Sequence, residues 1–156
     1  MRPAALRLSI LALSLLSVST LSAHPAAKTA GDCWLPAFKA GDADAVTACY
    51  AADAVLWIPG APMAKGAQAI HDGYAGFFAT STIKDAVLTE MGSSEMGDTR
   101  TAWGTFRIVA VAKSDGSESV ETGRYTEVQK KIGGRWVYIV DHASDEPAPP
   151  AAPVAP

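Results

Sequence analysis

What most constrains this chain is the order of its local signals. Helical segments turn at Gly41-Asp42, a strand over Ala54–Ile58 stops at Pro59-Gly60, a helix follows Gly66, and four long strand candidates close the series. Those strands run over about Thr82 to Glu90, Thr99 to Ala112, Ser119 to Ile132 and Arg135 to Ala143. Ser114-Asp-Gly116 and Ile132-Gly-Gly134 supply the turns between the last three, and sequential antiparallel pairing is the simplest way to join the four. A few early helices followed by long strands is what a curved sheet wrapped around helices requires. The expected fold class is therefore α+β, a curved antiparallel sheet around about three N-terminal helices, with a pocket inside.

Within the helical part, Pro36 suits a first turn better than an interior, so the helix over Asp32–Ala40 is expected to be short or kinked. Asp42 or Asp44 can cap a second helix running through Cys49-Tyr50, because a carboxylate there accepts from unpaired amides. In the third helix Ile70, Tyr74, Phe77 and Phe78 recur on one face and read as core. The last strand is apolar on both faces: Trp136, Tyr138 and Val140 alternate with Val137 and Ile139. One face is expected to cover the helices and the other to meet a second subunit.

Both ends lie outside this domain. Arg2 and Arg7 precede the apolar run Leu8 to Val18, with small residues up to Ala23, so residues 1–23 read as a secretory signal peptide. That run is shorter than the ~20 residues of a spanning helix, and no membrane span is expected in the mature chain. Residues 24–30 read as a flexible lead-in, 31–144 as the folded domain, and 145–156 as a disordered tail rich in Pro and Ala. The protein is expected to be exported, to the periplasm or beyond.

Composition then removes some classes of function. Loss of Arg2 and Arg7 lowers Lys plus Arg from 13 to 11 against 16 acids, leaving a net charge of −5. A nucleic-acid footprint is absent, as are glycine loops that cradle phosphates. His24, His71 and His142 lack ligand spacing, so no metal and no cofactor are expected. Cys33 and Cys49 each lie about eight residues from the Gly41-Asp42 turn, and a helical hairpin there would bring them level. In an oxidising compartment a disulfide is expected, with two buried free thiols as the alternative.

The ordered set Ala40-Gly-Asp42, Tyr50-Ala-Ala-Asp53-Ala-Val, Gly66 with Ala69-Ile70, Met96-Gly-Asp98, Gly123-Arg-Tyr125 and Gly134-Arg-Trp136 with Asp141 resembles the nuclear transport factor 2-like superfamily, in its SnoaL-like branch. The resemblance spans Cys33 to Ser144 and implies the cone fold, an internal pocket and homodimers through the outer sheet face. It does not imply one activity. Its ketosteroid isomerases use a carboxylate base and oxyanion donors. Aligned on Ala54-Val-Leu-Trp-Ile-Pro59, the base falls at Ile58, the donor tyrosine at Trp34 and the partner acid near Thr126, which argues against steroid isomerase activity.

Candidates for chemistry are Asp141 and His142, which as strand neighbours point to opposite faces, so that only one can enter the pocket. Tyr125 is the third, its hydroxyl a hydrogen-bonding handle and Gly123 a source of room beside its ring. Trp34, Trp57, Trp103 and Tyr125 are the candidate ligand-lining residues. The first expectation is an exported module that holds a small, apolar or amphipathic molecule. The alternatives are a cofactor-independent isomerase, cyclase or dehydratase using Asp141 or His142 with Tyr125, and a dimeric scaffold whose pocket is filled.

Overall fold

The computed structural model describes residues 28–147. The expected signal peptide, most of the flexible lead-in and most of the Pro/Ala-rich tail lie outside the described residues. The elements run α1 (Ala30–Ala40), α2 (Ala43–Thr47), β1 (Tyr50–Trp57), β2 (Ala64–Lys65), α3 (Ala67–Thr80), β3 (Ser81–Met96), β4 (Thr99–Ala112), β5 (Glu118–Ile132) and β6 (Arg135–Asp145). The fold is α+β, and its sheet is ordered β2-β1-β6-β5-β4-β3. Strands β3 to β6 pair antiparallel in sequence order, but β1 lies parallel to β6.

Local chemistry sets the helix boundaries. Thr29 and Asp32 form a reciprocal capping box at the start of α1, and Gly41 ends it at φ +68° in the left-handed region that favours glycine. Pro36 lies inside this 11-residue helix and does not shorten it. It sits on the exposed face, where its ring and missing donor disturb no core contact. Asp42 accepts from the Ala45 amide at 2.9 Å to cap α2, which has five residues and ends at Thr47. The helix expected through Tyr50 stops early because the sheet captures its end: the Tyr138 amide donates to the Cys49 carbonyl at 2.9 Å, and β1 begins at Tyr50.

Cys33 and Cys49 form a disulfide with their Cα atoms 5.8 Å apart, tying α1 to the start of β1. Helix α3 buries Ile70, Tyr74 and Phe78 at one-turn spacing. These meet Trp34 and Phe38 of α1, whose rings stack at 4.3 Å, and Tyr50, whose ring lies 5.0 Å from that of Tyr138. Aromatic rings thus fill much of the space between helices and sheet.

One irregularity in the sheet decides which residues face that space. The β5–β6 register slips between Val128–Val140 and Gln129–Tyr138, so Ile139 is an extra residue in β6. Simple alternation puts residues 138 and 141 on opposite faces. With the bulge, Tyr138 and Asp141 both face the helices, and Val140 and His142 bracket Asp141 on the outside.

Candidate functional site

The inner face of the sheet carries an unusual concentration of polar groups. On β5, alternation turns Gly123, Tyr125, Glu127 and Gln129 inward, and all four are buried between exposed or partly exposed neighbours. Asp141 of β6 is the register partner of Glu127, so two carboxylates stand side by side on adjacent strands. Arg100 of β4 is the register partner of Gln129.

Asp141 terminates a directed hydrogen-bond chain. Its Oδ2 accepts from the Tyr50 hydroxyl at 2.7 Å, the Tyr50 and Tyr74 hydroxyls are 2.9 Å apart, and Trp34 Nε1 donates to Tyr74 at 2.9 Å. Each tyrosine has one hydroxyl proton and the indole can only donate. With Tyr50 spending its proton on Asp141, Tyr74 must donate to Tyr50 while accepting from Trp34. The indole therefore polarises the whole chain toward an ionised Asp141. Burial acts the other way and more strongly, pushing Asp141 up to about 6 against the Tyr50 hydrogen bond and the nearby His142.

Glu127, with only 5% of its surface exposed, accepts from the Gln129 side-chain amide, whose oxygen in turn accepts from the Ala30 amide at 2.9 Å. Burial first and the Asp141 charge second push Glu127 up to about 7, with Gln129, Tyr138 and Arg100 opposing. Two adjacent carboxylates do not both ionise cheaply. Asp141, with a hydroxyl donated to it, ionises first, and Glu127 holds its proton to higher pH. Tyr125 is pushed up to about 12, by burial first and then by the charges of Glu127 and Glu90, so its hydroxyl stays a donor at neutral pH.

The structure thus collects Asp141, Tyr125 and Trp34 on the inner side and separates them from the other candidates. His142 lies on the outer face, where its ring meets that of Trp57 edge-on at 5.8 Å. Trp57 and Trp103 are 56% and 44% exposed on that same outer face, not in the interior. Strand parity is the reason: Trp57 pairs with His142, and Trp103 pairs with Thr126. The space beside Tyr125 also comes from another glycine. A Cβ on Gly104 would lie 2.8 Å from the Tyr125 hydroxyl, whereas the gap at Gly123 is taken by Phe106.

Glu127, Tyr50, Tyr74, Arg100 and Gln129 were not among the sequence candidates. Alternation around Tyr125 was a usable signal for Glu127, which is one residue beyond the position near Thr126 where a partner acid was sought. Thr126 itself faces outward. Nothing local marks Tyr50 or Arg100.

A curved six-stranded sheet around three helices with an acidic inner face defines a nuclear transport factor 2-like cone. The profile of the SnoaL-like domain family matches residues 33–139, more than half of the chain, and the protein belongs to that family. Among solved structures, a ketosteroid isomerase-like protein from Erwinia carotovora atroseptica is similar at TM-score 0.68 and 23% identity, over 76% of this chain and 92% of that one. A nuclear transport factor 2-like superfamily protein from Salmonella enterica serovar Typhimurium gives 0.67 at 16% identity, covering 81% and 92%. A candidate dehydratase of the same family from Streptomyces avermitilis gives 0.65 at 20%, covering 76% and 93%. At these identities the likeness shows the fold alone. No curated protein matches the chain.

Proposed function

We propose that this protein is an exported domain that holds a small amphipathic molecule against the inner face of its cone and moves a proton on it without a cofactor. The observation that carries this reading is the side-by-side pair Glu127 and Asp141, one of them terminating the Trp34–Tyr74–Tyr50 chain. Groups pushed up to about 6 and about 7 exchange protons close to neutral pH. Asp141 takes a proton from carbon beside a carbonyl. Glu127, holding its own proton longer, and Tyr125 are the donors for the oxygen on which charge develops. Isomerisation and dehydration are the reaction classes that use such a pair, and the names of the Erwinia and Streptomyces neighbours fall in them. Steroid isomerisation is not the expected reaction, because Ile58 cannot accept a proton and Thr126 faces outward.

The disulfide suits an oxidising compartment, and no helix among the described residues is long and apolar enough to cross a membrane. A second reading, a scaffold with a filled interior, is favoured by the packed rings of Trp34, Phe38, Tyr50, Tyr74, Phe78 and Tyr138.

Deuterium uptake from D2O at the carbon beside the carbonyl of acetylcyclohexane, followed by NMR, separates the two. Acid–base chemistry predicts protein-dependent exchange that rises with pH through about 6 and falls roughly a hundredfold or more in Asp141→Asn. Exchange equal to that in buffer alone would leave the scaffold.

A further inference from the structure

The sheet has an uncovered length of strand beside the end of β6. Strand β5 starts at Glu118, but its pairing with β6 reaches only to Gly123, the partner of Asp145. One bond lies beyond that pair: the Glu146 amide donates to the Thr122 carbonyl at 3.3 Å. On the other side of β5, the Ala112 amide donates to the Ser117 carbonyl at 2.8 Å, in phase with the β4 pairing. In an antiparallel ladder successive residues turn their N–H and C=O to opposite neighbours. Odd-numbered residues at this end of β5 therefore face β4, while Thr122, Val120 and Glu118 face the side on which β6 has run out. Among the described residues no backbone group pairs with Val120 or Glu118 on that side. The Val120 side chain is 53% exposed as well.

We infer that this edge is the docking site of the chain's own Pro/Ala-rich tail, with residues 147–150 continuing β6 antiparallel along Glu118–Glu121. Residues 148–156 lie outside the described residues, and the register on the page says where they fall. Continuing from Asp145 opposite Gly123 sets Pro147 opposite Glu121, Ala148 opposite Val120, Pro149 opposite Ser119 and Pro150 opposite Glu118. Pro147 and Pro149 then occupy the positions whose amides would point away from β5. A strand tolerates proline there when no neighbour lies on that side, and β1 makes its last pair at Trp57 with His142. Ala148 is the position that faces β5, and it has the N–H that lets it exchange both bonds with Val120. Pro150 can only accept from the Glu118 amide, so the match ends there. The prolines also bias Glu146, Ala148 and Pro149, each of which precedes one, toward extended backbone. Charge agrees with this occupant: the edge carries Glu118 and Glu121, and residues 147–156 have no charged side chain. Ala148 covers part of the exposed Val120. The docked tail turns prolines outward, leaving no donor at those positions for a further strand, and so closes this part of the sheet to other chains.

NMR on the full chain tests the register directly. Residues opposite each other at positions that share no hydrogen bond bring their Hα atoms close together. Nuclear Overhauser contacts are therefore expected from Pro147 Hα to Glu121 Hα and from Pro149 Hα to Ser119 Hα. The Val120 amide should exchange with D2O at least roughly tenfold more slowly in the full chain than in a chain ending at Pro147. Two single substitutions separate this register from any loose association of the tail. Ala148→Pro removes the donor that faces β5 and should speed Val120 exchange to the rate of the shortened chain, whereas Pro149→Ala should leave it slow. Equal Val120 exchange in the full and shortened chains overturns the proposal, as does slow exchange that survives Ala148→Pro. Contacts seen only between differently labelled chains in a mixed sample also overturn it, by assigning the edge to the tail of a second copy.

Discussion

At the scale of single residues, burial outweighs hydrogen bonding in setting the protonation of the inner carboxylates. Asp141 accepts a hydrogen bond from a hydroxyl at 2.7 Å and is still pushed up to about 6, because loss of hydration in this partly buried position outweighs that bond. The consequence for stability has a definite sign. A carboxylate whose folded value is raised binds more protons when folded than when unfolded, so stability falls as pH rises through the window between the two values. For Glu127 that window runs from its ordinary 4.5 to about 7. Full ionisation on raising the pH should cost on the order of 3 kcal/mol. Glu127→Gln keeps the shape and removes the titration. We expect urea midpoints of this variant to be flatter than wild type between those pH values and higher at pH 8; a parallel decline in both proteins would refute the assignment. Glu127 was legible as an inward residue from its alternation with Tyr125. Its proton affinity was not, since that depends on Asp141 across the strand pair.

At the scale of elements, the disulfide and the β6 bulge do what neither segment does alone. Residues 33 and 49 are 16 apart, and the bridge between them holds α1 over the start of β1, where Trp34 and Tyr50 share the hydrogen-bond chain. Closing a loop of this size contributes about 3 kcal/mol by restricting the unfolded chain. The double variant Cys33→Ala, Cys49→Ala should lose about that amount in chemical denaturation and melt well below wild type, and a melting temperature unchanged by the substitutions would show that the bridge restrains nothing. The spacing of the cysteines about the Gly41-Asp42 turn made this pairing readable in advance. The bulge at Ile139 had no such signal. Alternating apolar residues in β6 suggested two comparable faces, whereas the slip in register turns Tyr138 and Asp141 the same way and leaves Val140 outside.

Across the whole molecule, the outer sheet face is the largest feature that the interior does not explain. Trp57, His142, Thr126 and Trp103 are successive register partners across four strands, with Val140 beside them at 40% exposed. A row of exposed rings on a sheet marks an interaction surface. We expect a homodimer through this face, as the SnoaL-like resemblance implies. Light scattering coupled to size exclusion should give twice the chain mass for wild type and a monomer for Trp57→Glu with Trp103→Glu. A wild-type monomer at high micromolar concentration would exclude it.

Sequence alone determined the long strands, the α+β class and the presence, though not the extent, of the helices, and it favoured a cysteine pair, because each rests on periodicity, turn chemistry or spacing within a short stretch; the cone followed from the resemblance carried by the whole ordered motif set. It also placed Asp141 and Tyr125 on a short list. Only the tertiary structure decided that Asp141 turns inward and His142 outward, that Trp57 and Trp103 leave the interior, and that Arg100 and Glu127 enter the site. Those outcomes depend on which strand lies beside which and in what register. One extra residue in β6 reverses side-chain direction for everything beyond it, and no local signal in the chain announces that residue.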